Sequence, residues 1–438
     1  MHEIEALVGR QAIDGLDLEA LEMAVRQQAL QLAARAVEQR LNADTSDHAA
    51  PHLPCRCGGE ARYAGRRAKR FHSVLGSLHL QRAYYHCGSC GSGFCPRDRR
   101  LGLENSSLSP AVTRMVGTVG ALVSFQEGSQ LLQELAGVAV EAKQVERTAE
   151  ALGEEIATAE RQDTEPGHDH LPLPGTLYLG IDGTGIPLRA EELAGRAGKQ
   201  PDGSAQTREV KLCTVWSAEG RDEHGTPVRD EGSVTYSAAI ESAATPDTAR
   251  QRSPFAQRVE REATRRRFQE ARQVVLGDGA PWIWNLTQEL FPQALQIVDR
   301  FHAKENLSNL AKTLYGPTHP RAPAWAQRRH QELDTGRFRS LLAALRRHTA
   351  TCAEARRTLH YFQTNRHRML YPDFHAQGLC TSTGVVEAGC KLAIGTRLKR
   401  AGMHWTLRGS NAIIALRCCK LSGRFQDFWE RRCPLATP

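Results

Sequence analysis

Three acidic residues each follow an apolar segment in a setting of small residues. Asp182 ends the segment LYLGID, Asp278 follows VVLG, and Glu387 follows TSTGVV. A run such as LYLGI is typical of a buried strand, so a carboxylate at its end needs water, a partner or a cation. Two carboxylates about 4 Å apart repel by about 4 kcal/mol at an effective dielectric constant of about 20, and a divalent cation relieves this repulsion. Hard oxygen ligands of this kind favour Mg²⁺ or Mn²⁺.

Two strand acids and one helix acid are the groups that two-metal phosphoryl transfer requires, because the ions act on the attacking and the leaving oxygen. Each acid alone also has an ordinary structural interpretation, since Asp-Gly is a common turn dipeptide. Asp299 also ends an apolar segment, LQIVD, and His302 follows it. Spacing alone leaves open whether Asp299 replaces Asp278 as the second metal ligand or anchors His302.

A cysteine cluster provides a second group of possible metal ligands. Five of the twelve cysteines lie between residues 55 and 95. Cys87 and Cys90 form a Cys-x-x-Cys pair, whereas Cys55 and Cys57 form a shorter Cys-x-Cys pair. Such clustering in a cytosolic chain favours structural Zn²⁺ over disulfides, and the alternative is a small β module with reduced thiols. If the Cys-x-Cys pair does not supply two zinc ligands, the substitute ligands would be Cys95, His86 or His52.

Positive charge is concentrated in two regions. The net charge of the chain is +8, but residues 303–438 carry +15 and residues 1–302 carry −7. Residues 51–110 form another basic region, with ten Lys and Arg against three acids. Clustered cations gain counterion-release free energy on a phosphate backbone, so we expect double-stranded DNA as a partner. The alternative is a solvated basic surface without a partner.

The elements that must position these residues change type along the chain. Residues 1–43 have helical periodicity, and a short β-rich stretch follows over residues 62–87. Residues 105–165 are again helical, and QLLQELAGVAVEAKQVERTAEALG within them has the size and the glycine punctuation of a helix-turn-helix. Strands and helices then alternate from Gly175, and residues 303–376 are helical. The sequence therefore predicts an α/β protein with helical additions.

Composition excludes several classes of protein. The sequence contains no run of 18 apolar residues, so a membrane-spanning helix is not expected. Apolar residues make up 40% and charged residues 24% of the chain, which argues against wholesale disorder. The N-terminal segment MHEIEALVGR lacks the apolar region of a secretory signal. We therefore expect a cytoplasmic, nucleoid-associated protein.

Four segments resemble the Kra-type insertion-sequence transposases, which are bacterial DDE enzymes related to the Mutator-like group. They are LGIDGTGIP, VVLGDGAPWIWNL, QIVDRFHAKENLS and TSTGVVEAGCKLAIGTRLKRAGMHWTLRGSNAIIALRC. The resemblance implies a ribonuclease-H-like core that an all-helical insertion interrupts, preceded by helical and zinc-binding β modules for DNA. The expected domains are a helical segment (1–48), a cysteine-rich zinc-binding β module (49–104), a helix-turn-helix-like domain (105–165), the core (171–302 and 381–438) and the helical insertion (303–380).

The resemblance also implies a set of roles. The DDE acids fall on Asp182, Asp278 and Glu387, which would hold two Mg²⁺ or Mn²⁺ ions, and Asp299 and His302 would support the site. One strand is cleaved at an element end, and the freed 3′-hydroxyl attacks a target phosphodiester. Paired ends imply a homodimer or a larger synaptic assembly.

Residues after Glu387 are expected to contact DNA. Basic side chains would bind phosphates, and an aromatic or imidazole ring would stack on a frayed base. For Trp405, core packing is the alternative. The residues are Lys391, Arg397, Lys399, Arg400, His404 and Trp405.

Two rival functions remain open at this point. One is a ribonuclease-H-like nuclease that cuts DNA without joining it. The other is a non-catalytic, zinc-bearing DNA-binding regulator whose acids are structural.

Overall fold

The computed structural model describes residues 17–163, 173–193, 207–244 and 251–432. The chain divides into two compact units, residues 1–149 with 426–438 and residues 150–425. Each unit contains a sheet and helices, which confirms a mixed α/β chain. The first 16 residues of the predicted helical segment and the predicted boundary at 165–171 lie outside the described residues. None of the described helices is long and apolar enough to cross a bilayer.

The first unit is built on a four-stranded antiparallel sheet in the order β1-β2-β3-β4. Helix α1 (Leu18–Ala43) precedes it and packs Ala34 against Phe71 and Leu80 of the sheet. Gly76, with φ +116°, makes the tight turn between β2 and β3 that other residues rarely adopt. The strands are β1 (His52–Pro54), β2 (Glu60–Ser73), β3 (Gly76–Cys87) and β4 (Gly93–Phe94).

Helices complete the first unit. The short α2 (Pro96–Arg100) is followed by α3 (Pro110–Leu122), α4 (Phe125–Ala136) and α5 (Ala142–Gln162). Helix α5 begins in the first unit, and its residues from 150 onward belong to the second. Helix α4 ends at Gly137, which adopts the left-handed conformation with φ +67° and makes the predicted turn before α5. The pair α4–α5 therefore has the size of a helix-turn-helix, and its reading of DNA stays a prediction.

The second unit is built on a five-stranded sheet in the order β11-β10-β5-β6-β9. Strands β5, β10 and β11 are parallel to one another, and β6 runs antiparallel to both of its neighbours, β5 and β9. The strands are β5 (Thr176–Pro187), β6 (Thr207–Trp216), β9 (Thr235–Ala239), β10 (Arg272–Gly277) and β11 (Leu295–Val298). Two short strands, β7 (Gly220–Arg221) and β8 (Pro227–Val228), form a separate hairpin.

Strand β5 does not end at Asp182, which corrects the expectation from the sequence. Its pairing with β10 reaches Gly180, but its pairing with the antiparallel β6 continues to Pro187. The glycines Gly183 and Gly185 carry little strand signal in the sequence, and the long β6 supplies the missing hydrogen bonds. Asp182 therefore lies where the parallel part of the sheet ends, within a strand that continues.

Helices surround the sheet of the second unit. Helix α6 (Pro254–Arg265) precedes β10, and α7 (Pro281–Leu290) connects β10 to β11. A helical region follows β11 as predicted and contributes Leu307, Leu341 and Phe362 to the same core as the sheet. Its helices are α8 (Arg300–Tyr315), α9 (Arg321–Asp334), α10 (Phe338–Arg346), α11 (Ala353–Thr364) and α12 (Tyr371–Ala376).

Glu387 lies on α13 (Gly384–Gly389), which continues through a π-helical turn (Cys390–Gly395) into α14 (Thr396–Leu398). Helix α15 (Leu407–Leu421) follows, and α16 (Phe425–Arg432) returns to the first unit after its first residue. Helix α13 lies close to β5, because a Cβ atom built on Gly180 would lie 2.0 Å from Cγ2 of Val386. The absence of a side chain at Gly180 is thus what lets the Glu387 helix approach the sheet.

We predict that Gly180→Ala destabilises the second unit by about 1–3 kcal/mol, because the added methyl group overpacks a contact with a short branched side chain. The matched control is Gly220→Ala, where the nearest atoms to the added Cβ lie 3.5 Å away. Urea unfolding of both variants measures the difference. Equal midpoints for the two variants would contradict the close packing of α13 on β5.

Candidate functional site

Two of the predicted acids follow the paired segments of neighbouring parallel strands. Gly180 of β5 lies opposite Leu276 of β10. Asp182 lies two residues beyond Gly180 on β5, and Asp278 directly follows β10. Neighbouring strands lie about 4.8 Å apart. The sheet therefore brings these two carboxylates into the same neighbourhood.

The carboxyl group of Asp182 is in an unfavourable place for a negative charge. Burial raises its pKa above the ordinary value, and the negative charge of Asp278 adds to that rise. Two contacts favour the charged form: the backbone N–H of Gly183 donates to Oδ1 at 2.7 Å, and the Cys390 thiol donates to Oδ2 at 3.5 Å. A cation bound here would relieve the cost that burial and Asp278 impose.

Glu387 approaches from the helix above β5. Its Oε1 lies 3.3 Å from Nε2 of His302, and its side chain is 43% exposed. Cys390, which contacts Asp182, follows Glu387 by three residues and so shares its helix face. The face of α13 that carries Glu387 is therefore turned toward the strand ends.

Asp299 connects three parts of the chain through one buried carboxylate, which is 1% exposed. Oδ1 accepts from the backbone N–H of His302 at 2.7 Å and caps the first turn of α8. Oδ2 accepts from the hydroxyl of Thr383 at 2.7 Å and from its backbone N–H. Because α13 begins after Thr383, this carboxylate positions the helix of Glu387 relative to β11.

The three acids do not form a closed ligand set in this structure. Among the described residues, four cysteines have ligand atoms that all lie within 4.8 Å of one another. The three acids are not part of such a group. Asp278 Oδ1 accepts from the backbone N–H of Ala280 at 2.8 Å. The hydroxyl of Tyr361, on α11, donates to the backbone carbonyl of Asp278 at 2.9 Å.

The predicted DNA contacts are divided between surface and core. Lys391, Lys399 and His404 are exposed, and Arg400 is half-buried. Arg397 is fully buried with its guanidinium 5.1 Å from the ring centre of Trp405, which is itself 6% exposed. The indole N–H of Trp405 donates to the Leu398 carbonyl at 3.0 Å. Neither Arg397 nor Trp405 presents a surface to DNA in this conformation, because each packs inside the fold.

Three residues that contact this site were not predicted from the sequence. Cys390 had a usable signal, since it lies one helical turn from Glu387. Thr383 and Tyr361 had none, because they reach Asp299 and Asp278 across separations of 84 and 83 residues.

Lys399 donates to the hydroxyl of Thr184, two residues beyond Asp182 on β5. A cation therefore lies near the acids.

The four cysteines of the first unit form a second centre. Cys55 Sγ lies 3.7 Å from Cys90 Sγ, and Cys57 Sγ lies 3.7 Å from Cys87 Sγ. Four thiolates at about 2.3 Å from one tetrahedral Zn²⁺ would be about 3.8 Å apart. The four sulfurs are free thiols within 4.8 Å of one another, so the cluster can hold a metal such as zinc. The shortened Cys-x-Cys pair supplies both of its sulfurs.

The cysteine centre predicts one zinc ion per chain. Cys57→Ser removes one of four thiolates, and we expect the zinc content to fall by at least half with loss of stability of the β module. Cys95→Ser is the matched control, because Cys95 lies outside the four-sulfur group. Elemental analysis of the purified proteins measures the zinc. Equal zinc in both variants would contradict the assigned ligand set.

Asp299→Ala should cost about 3 kcal/mol of stability, because it removes a helix cap and leaves the Thr383 donors unpaired inside the protein. Asp222→Ala removes a carboxylate that also accepts two backbone hydrogen bonds, but in an exposed turn, and should change stability by less than about 1 kcal/mol. Urea unfolding compares the two variants. A similar loss in both would show that Asp299 does not hold these segments together.

Comparisons with known proteins identify the family. Among solved structures, the chain is similar to the Drosophila P element transposase strand transfer complex, with 10% sequence identity and a TM-score of 0.27. That match covers 76% of this chain and 83% of the other, and it is too weak to carry an argument. No curated protein matches the chain. The profile of the uncharacterised protein family UPF0236 matches residues 11–430. The chain therefore belongs to the UPF0236 family.

Proposed function

We propose that this chain is a DDE transposase of the Kra-type group, which cleaves DNA at the ends of an insertion sequence and joins the cut strand to a target. The observation that supports the proposal is that Asp182 and Asp278 lie near each other where the parallel pairing of β5 and β10 ends, with the helix of Glu387 packed on β5. Burial and the charge of Asp278 raise the pKa of Asp182, and carboxyl groups with raised pKa values are concentrated at functional sites.

The topology supports a ribonuclease-H-like core. Such a core has three antiparallel strands in a meander followed by two parallel strands on the other side of the first, as in the order β11-β10-β5-β6-β9. The helical region from α8 to α12 lies between β11 and α13, where the resemblance to transposases requires the insertion. Glu387 then follows this region on a helix that packs on the sheet.

The donor set fits divalent cations. Asp182, Asp278 and Glu387 would hold two Mg²⁺ or Mn²⁺ ions, which supply activation of the attacking oxygen and stabilisation of the leaving oxygen. The partly buried Asp182 and its negative neighbour favour a bound cation over two unneutralised carboxylates. Glu387 contacts His302, and its side chain is half-exposed. Of the three acids, Glu387 therefore has room to move toward Asp182 and Asp278.

Other residues of the chain position this site. Asp299 holds the start of α8 and the turn before α13, so Glu387 and His302 keep their places. Lys399 contacts Thr184 beside the acids, and Lys399 with the exposed Lys391 would bind phosphates of the DNA strand. Arg400 and His404 would contact DNA further along the same segment.

The rest of the proposal concerns partners and location. Double-stranded DNA would be both substrate and target, and the cysteine centre would hold a structural Zn²⁺ in a DNA-binding module. Two or more copies would assemble on paired ends. The protein would act in the bacterial cytoplasm, in association with the nucleoid.

Asp182→Asn tests the catalytic role. We expect it to lower Mg²⁺-dependent strand cleavage at least about 10³-fold, because it removes a carboxylate that would contact the ions, while DNA binding is retained. Asp222→Asn, at an exposed turn, is the control and should cleave at the wild-type rate. Wild-type cleavage by Asp182→Asn, measured on a labelled duplex from an insertion-sequence end, would contradict the proposal.

The same variant reports on folding. The pKa of Asp182 is raised in the folded protein relative to an ordinary aspartate. As the pH rises and Asp182 ionises, the folded protein must hold a buried negative charge, so its free energy of unfolding falls. Asp182→Asn should therefore melt slightly higher than the wild type near neutral pH in a chelator. Thermal melting thus separates loss of chemistry from loss of fold.

Joining of pre-cut ends distinguishes a transposase from a nuclease of the same fold. A transposase joins a labelled, pre-cut end to a plasmid, and a nuclease cleaves duplexes without producing joined molecules. A DNA-binding regulator does neither.

A further inference from the structure

Positive charge in the first unit is concentrated on one β ribbon. Residues 60–87, which contain β2 and β3, carry six Lys and Arg against one acid. Residues 125–149, which contain α4 and the start of α5, carry two Lys and Arg against four acids. A polyanion therefore gains free energy at the ribbon and not at the helix pair that the sequence suggested.

Most acids near the ribbon are already used. These acids form ion pairs with arginines inside the module or at its rim. Arginines paired in this way need no external partner. The pairs are Arg66 and Arg97 with Asp47, Arg82 with Asp98, and Arg56 and Arg99 with Glu104.

Two further arginines are exposed at one end of a ribbon face whose other end is buried with Phe71 and Leu80. Arg62 pairs with His86 across the strands, and Arg67 pairs with Arg82, so both lie on the face that also carries Tyr84. Arg62, Arg67 and His86 are exposed, and neither of these arginines forms an ion pair with a carboxylate of the described residues. We call Arg62, Arg67, Tyr84 and His86 the arginine face.

The arginine face is held in shape before any ligand binds. The Arg67 guanidinium lies 3.5 Å above the ring centre of Tyr84. The hydroxyl end of Tyr84 lies against Gly93 of β4, since a Cβ built on this glycine would lie 2.0 Å from the Tyr84 hydroxyl. His86 directly precedes Cys87 of the cysteine centre, which fixes this end of the ribbon. A stacked guanidinium loses less side-chain entropy when it binds a phosphate or a base edge.

We propose that the arginine face is the surface through which the first unit binds duplex DNA. Arginines that stack on aromatic rings suit both phosphates and guanine edges. This inference rests on the proposed function for its ligand class. It assigns DNA binding to the ribbon in place of the pair α4–α5.

The test is the salt dependence of binding to a labelled, mixed-sequence duplex by the full chain between about 50 and 200 mM salt. The double variant R62A/R67A should lower the magnitude of the logarithmic salt slope by about 2 and weaken binding at least about tenfold at about 100 mM salt. The matched control K143A/R147A removes the same charge from the start of α5 and should bind like the wild type. Tyr84→Leu keeps every charge, so it should weaken binding with an unchanged slope.

The outcomes separate the two levels of the proposal. Zinc content and melting temperature equal to the wild type establish that R62A/R67A is folded. A wild-type slope in folded R62A/R67A, or a reduced slope in K143A/R147A alone, overturns this inference and leaves the proposed function standing. A wild type that binds no duplex overturns both this inference and the proposed function. Loss of cleavage in Asp182→Asn with unchanged DNA binding concerns the catalytic step alone and agrees with the DNA-binding surface assigned here.

Discussion

The buried carboxylate of Asp299 is the constraint on which the candidate site depends. It lies at the end of β11, yet its hydrogen bonds go to the first turn of α8 and to Thr383, the residue before α13. A charged group that is 1% exposed is stable only when its acceptors are satisfied, and Asp299 obtains this from two segments that are distant in sequence. Asp299 therefore links the two segments that flank the long helical region.

A second constraint is the packing of α13 on the sheet. Gly180 removes the side chain that would hold the helix away from β5, and Val386 fills the space. Directly after this contact the helix widens into a π-helical turn from Cys390 to Gly395. Such turns are rare and occur often at functional sites. Here the turn begins at the residue whose thiol contacts Asp182.

Local sequence predicted the strands before Asp182 and Asp278, because a run of buried apolar residues is a short-range pattern. The assignment of these acids to a catalytic site stays a prediction. The continuation of β5 to Pro187 was missed, since it depends on pairing with β6. The contact of Asp299 with Thr383 could not be predicted locally either, because the two residues are 84 positions apart. The burial of Arg397 and Trp405 is likewise set by tertiary packing, which overrides the appearance of a basic, aromatic surface segment.

The central claim is that Asp182, Asp278 and Glu387 converge on divalent cations. The most direct measurement is anomalous diffraction from crystals of the full chain soaked in Mn²⁺. The account predicts Mn²⁺ density against the carboxylates of Asp182 and Asp278, with Glu387 turned away from His302 toward it, and no such density in Asp182→Asn. Well-ordered strand ends without Mn²⁺ in the wild type, or Mn²⁺ bound in the same place in Asp182→Asn, would contradict it.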